Sequence, residues 1–143
     1  MKSPALKRSG WMSALAIVAV LFGLLTILSG GRTLFSAAAQ QLAGNIVPFV
    51  LWFNFLAGFA YVIAGVGLWF RQGWARWLSF AIAAVTLLVF AAFGLQIWAG
   101  SSYEMRTVGA MSLRAVVWLV IAVAAYRNLA DRLSDESTME VSR

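Results

Sequence analysis

Four long apolar runs fill most of a chain of 143 residues, and nothing else in the sequence limits its fold so tightly. A helix needs roughly 20 apolar residues to cross the hydrocarbon core of a bilayer, and each run approaches or exceeds that length. Four such runs cannot all hide in one small water-soluble core. Composition agrees: 62% of the residues are hydrophobic and 11% are charged, against roughly half and a quarter in soluble domains. The expected fold is therefore an all-α integral membrane protein, a four-transmembrane-helix bundle. It forms a single membrane domain over 1–143, with helices at about 11–29, 46–70, 74–99 and 108–130 and a flexible tail at 137–143.

The run from Trp11 follows Lys2, Lys7 and Arg8, the pattern that also opens a signal peptide. It is longer than the roughly 7–15 apolar residues of a signal h-region, and Ala37-Ala38-Ala39, the candidate cleavage site, lies well past its end, so it reads as a retained helix. Gly30-Gly31 is expected to end it. In the next connector, Thr33, Ser36 and Gln40 share one helical face and Leu34, Ala38 and Leu42 another, so a short interfacial helix and a plain loop both fit. Asn45 is a candidate cap for the second helix, with Pro48 in its first turn. The brief link Arg71-Gln72-Gly73 makes the second and third helices antiparallel neighbours.

Orientation follows from the basic residues. Lys2, Lys7, Arg8, Arg71, Arg76, Arg127, Arg132 and Arg143 fall on one side, and Arg32, Arg106 and Arg114 on the other. The positive-inside rule puts the richer side, with both termini, in the cytoplasm of a bacterial-type plasma membrane. The net charge of +6 is thus a topology signal. No basic helix face or motif points to nucleic acid. Trp11-Met12-Ser13 and Trp77-Leu78-Ser79 echo each other, but three residues do not establish a repeat.

The chain has no cysteine and no histidine. That removes thiol redox chemistry, Cys/His zinc sites and the histidine general base. No paired acids, activated nucleophile or phosphate-cradling glycine loop appears, so neither an enzyme nor a cofactor or metal is expected.

Two groups of residues remain. Gly58, Ala60, Ala64 and Gly65 give the second helix a small-residue packing interface, of the kind that lets helices approach closely in lipid. The fourth helix carries Arg114, which lies roughly 9 Å inside a helix beginning near Val108. It either snorkels to the headgroups or faces inward toward partners. Asn54, Gln96 and Glu104 lie on the same side and complete a candidate outward-facing ligand or partner pocket. Met105 and Met111 flank Arg106, but two thioethers without His or Cys read as packing.

These features favour a non-enzymatic accessory, assembly or structural subunit of a membrane complex. A small transporter or channel using the pocket around Arg114, alone or as an oligomer, is the alternative, and a lipid-headgroup-handling protein is a third. The expected partners are the lipid bilayer and other membrane subunits or further copies of the chain.

Overall fold

The computed structural model describes residues 4–141. Lys2 and Arg143 lie outside them, as do the side chains of Lys7, Arg8 and Arg132. The described chain folds into five helices: α1 (Pro4–Phe35), α2 (Ala37–Ala43), α3 (Pro48–Trp69), α4 (Gly73–Trp98) and α5 (Met105–Val141). All but α2 contain a stretch long and apolar enough to cross a membrane. The side chains around these spans, among them Leu21, Leu25, Leu28, Ile63, Leu88 and Val116, are exposed. In water such a surface would aggregate, whereas in lipid it meets acyl chains.

Consecutive long helices run antiparallel. The start of α1, the end of α5 and the turn at 70–72 lie at one end of the bundle, here called proximal. The connectors at 36–47 and 99–104 lie at the other, here called distal. Trp11, Trp69, Trp74 and Trp77 are exposed near the proximal end, and Trp98 and Tyr103 near the distal one. Amphipathic rings favour these two interfacial levels.

Helix ends differ from the sequence reading for identifiable reasons. Gly30-Gly31 does not stop α1, which continues to Phe35. A Cβ on Gly30 would stand 3.2 Å from the Phe55 Cβ, so this glycine serves close packing against α3. Ser36 then caps α2, its Oγ accepting from the Ala39 N–H at 3.3 Å. Asn45 does not cap α3; that position belongs to Val47, which makes no side-chain cap bond, and Pro48 opens the helix. At the other end of the chain, α5 runs on through 137–141. The Thr138 and Ser137 hydroxyls donate to the Ser134 carbonyl there.

α3 and α4 end in the same way. The Gln72 N–H donates to the Gly67 carbonyl and the Arg71 N–H to that of Leu68; at the end of α4, Ser101 donates to Gln96 and Gly100 to Ile97. This is the Schellman arrangement, which needs a left-handed residue at its hinge. Gly100 supplies it with φ 88°, whereas Arg71 adopts φ 54°. Gly100 has open space around its Cβ position. Gly100→Ala should therefore cost only the backbone penalty of about 1–2 kcal/mol, read as a lowered melting temperature in mild detergent with an unchanged helical spectrum.

The closest helix contact joins α1 to α3. A Cβ on Gly23 would stand 2.8 Å from the Gly58 carbonyl oxygen, and one on Gly65 would stand 2.9 Å from the Val20 nitrogen. Here the two backbones touch. Gly58, Ala64 and Gly65 all lie buried in this helix and Ala60 packs beside the core, so the small-residue face is used within the chain. Its counterpart on α1, where Ala16, Gly23 and Gly30 recur every seventh residue, went unread in the sequence.

Buried apolar side chains form two clusters. The proximal one joins all four long helices, including Met12, Leu15, Ala16 and Ala19 of α1 and Trp118, Ile121, Ala122 and Ala125 of α5. The distal one, Val50, Phe93 and Met111, draws on α3, α4 and α5 and takes nothing from α1. The bundle is closed by four helices at one end and by three at the other. The two helical hairpins are also unlike each other. Gly94 of α4 and Gly109 of α5 have no neighbour at their Cβ positions, so α4 and α5 lack the glycine contact of α1 and α3.

Candidate functional site

Where α1 parts from the distal cluster, a pocket of about 390 Å³ opens among α1, α3, α5 and the first connector. Ser29, Gly30 and Thr33 line it from α1, Asn54 from α3, and Arg106, Thr107 and Arg114 from α5. The size suits a small ligand or a headgroup.

Arg114 lies deeper than the sequence implied. Because α5 begins at Met105, Arg114 is about 13 Å along the helix from its distal end. Its Nε is buried and has no hydrogen-bond partner among the described residues. Asn54, 9% exposed, lines the same pocket, and its Oδ1 is likewise buried and unpartnered. The fold thus brings Arg114 and Asn54 to one cavity without bonding them to each other.

Glu104 is placed differently. Its Oε1 accepts from the Asn45 N–H at 3.1 Å, tying the two distal connectors together above the pocket. Gly44 makes this possible. It has φ 75°, and a Cβ there would collide with the Glu104 carboxylate. Glu104 is therefore a strut, and no carboxylate lines the pocket among the described residues. Gln96 does not join the site. Its side chain is exposed on α4, a helix that contributes nothing to the pocket lining.

Below the pocket lies a layer that the sequence reading missed. Tyr61, Thr86 and Trp118 are fully buried, and the Tyr61 hydroxyl, the Thr86 hydroxyl and the Trp118 Nε1 have no partner among the described residues. By helical rise, each of the three stands roughly 18–20 Å from the distal end of its helix, near mid-bundle. The Tyr61 ring stacks on Phe22 with centroids 5.9 Å apart and meets Trp118 at 4.8 Å. None of these three rings is among the residues that line the pocket. The large cluster around and beneath them is apolar.

The lining offers cations, an amide and hydroxyl groups, and among the described residues no carboxylate or imidazole. Buried polar atoms are normally paired, because an unpaired one costs about 1–3 kcal/mol. Among the described residues five such atoms lack a partner, and two of them, Asn54 Oδ1 and Arg114 Nε, belong to residues lining the cavity. The chain matches no family model, no curated protein and no solved structure, so the reading of this site rests on its own geometry.

Proposed function

We propose that the protein is a non-enzymatic subunit of a bacterial-type plasma membrane, with both termini in the cytoplasm and the distal pocket facing outward. It acts by holding an anionic group of another component at Arg114. The observation that carries this reading is the Arg114 guanidinium, deep along α5, in a cavity that no carboxylate lines among the described residues. An ionisable side chain within a membrane-spanning helix is costly, and such residues usually mark a functional pairing. The planar donor set of arginine suits a carboxylate or phosphate. The packed rings of Tyr61 and Trp118 and the apolar cluster around them, near mid-bundle, argue against a conducting path.

Two measurements test the proposal. In intact cells, a cysteine placed at Ser101 should react with an impermeant thiol reagent and one at Ser137 should not; the wild type has no cysteine to interfere. The reverse pattern would turn the pocket toward the cytoplasm. Native mass spectrometry from mild detergent should find an anionic component on the wild-type protein and at least tenfold less on Arg114→Gln. Equal retention by both would sink the reading.

A further inference from the structure

We infer that the group held in the distal pocket is the phosphate headgroup of an anionic lipid, entering sideways through a gap between α1 and α5. This inference rests on the anion-holding reading above and specifies its ligand.

The gap follows from how the helices pack. α1 lies on α3, α3 beside α4, and α4 beside α5, while α1 and α5 barely meet. Their shared buried contacts belong to the proximal cluster, and the distal cluster contains nothing from α1. Going round the distal half of the bundle, therefore, one side has no helix-to-helix seal. The pocket lies at that side, with Ser29, Gly30 and Thr33 on one lip and Thr107, Ala110 and Arg114 on the other.

From above, access is narrowed. Asn45, Ile46 and Val47 contribute to the lining, and the bond from the Asn45 N–H to Glu104 pins this connector to the start of α5. Deeper along the helices, the rings of Phe22, Tyr61 and Trp118 pack against one another within the proximal cluster. The unsealed side faces the acyl chains. A lipid reaching the pocket this way leaves its tails in the membrane, and only its headgroup has to fit within about 390 Å³.

The lining matches such a ligand. Arg106 and Arg114 both face the pocket and stand about 12 Å apart along α5 by helical rise. Both are cationic and no acid answers them in the lining, so a headgroup that adds its own cation is disfavoured. Ile46, Val50, Leu51 and Ala110 supply the apolar part of the wall, which suits the ester region of a lipid better than a fully hydrated ion.

The test is native mass spectrometry of the full chain in mild detergent with phosphatidylglycerol, phosphatidylcholine or inorganic phosphate added. The wild type should retain phosphatidylglycerol at least tenfold over phosphatidylcholine, and inorganic phosphate at equal concentration should not displace it. Arg114→Gln should bring that ratio close to one. Ala110→Phe, which keeps the cation but fills the pocket, should do the same and decides the matter if Arg114→Gln does not fold. Displacement by inorganic phosphate would overturn the lipid while leaving the anion-holding reading standing. A co-purifying protein that is lost with Arg114→Gln, with no lipid preference, would also overturn it. Unchanged lipid preference in both variants would remove this pocket as the lipid site. If no anionic component depended on Arg114, the anion-holding reading would fall as well.

Discussion

Gly23→Leu should prevent α1 from docking on α3 and leave no stably folded bundle in detergent. The first added atom would already stand 2.8 Å from the Gly58 carbonyl oxygen and 2.9 Å from the Val62 nitrogen. Main-chain atoms cannot rotate aside, so the helices themselves must separate. Overpacking a core commonly costs about 1–3 kcal/mol, and backbone collisions put this case at or beyond the upper figure. In lipid no hydrophobic gain on re-docking offsets the loss, because helix association there depends on close van der Waals contact. Gly23→Ala should show a smaller drop of the same sign. Gly94→Leu is the control, since nothing lies within 4 Å of its Cβ position. Thermal unfolding of the three variants measures the order. If Gly23→Leu melts like Gly94→Leu, the α1–α3 contact does not hold the bundle together.

This contact also shows which parts of the fold can be read from one chain. Hydropathy is a property of each segment alone, so the four spans are legible from their apolar length. Gly30-Gly31 is ambiguous in the same text. A glycine pair stops a helix when its backbone faces water and continues one when a neighbour such as Phe55 fills the space above it. Only the neighbour decides, and the neighbour is twenty-odd residues away. The site divides in the same manner. Arg114 and Asn54 stand out because a polar residue in an apolar run is an anomaly, and the fold brings both to one cavity. Gln96 is the same kind of anomaly, but its helix turns it outward. Tyr61, Thr86 and Trp118 gave no such signal, since each also fits as a membrane anchor or helix filler. What marks them is burial without partners among the described residues, which is a three-dimensional fact. Four-residue spacing between Ala60 and Ala64 pointed to one small face on α3, but the wider period of Ala16, Gly23 and Gly30 gains its meaning only once α1 and α3 are laid together.

Arg114→Leu should make the protein more stable and, at the same time, unable to hold its ligand. Arg114 sits about 13 Å into α5 by helical rise, and among the described residues its buried Nε has no partner and no carboxylate lines the cavity. A cation at the centre of a membrane helix costs about 2.5–3.5 kcal/mol on insertion scales, and less nearer the surface. Replacing it with leucine removes that cost, so a gain of about 1–3 kcal/mol is expected in the unliganded protein, as when a functional polar group is removed from an otherwise stable scaffold. An arginine that only braces the fold predicts the opposite sign. The conservative change separates the remaining cases. Lysine carries the same charge on a flexible stem but lacks the planar fork that grips an oxyanion at two points. If Arg114 merely reached the headgroups, Arg114→Lys would behave as wild type. If it grips an anion, Arg114→Lys should lose retention nearly as fully as Arg114→Gln while keeping normal membrane abundance. Asn54→Leu should weaken retention less, since Asn54 is a second polar group of the same pocket and not its charge. The measurements are melting temperature in mild detergent and ligand retention by native mass spectrometry, made on the same preparations. A loss of stability in Arg114→Leu, together with normal retention in Arg114→Lys, would reduce Arg114 to a structural residue and the pocket to a packing defect at the α1–α5 gap.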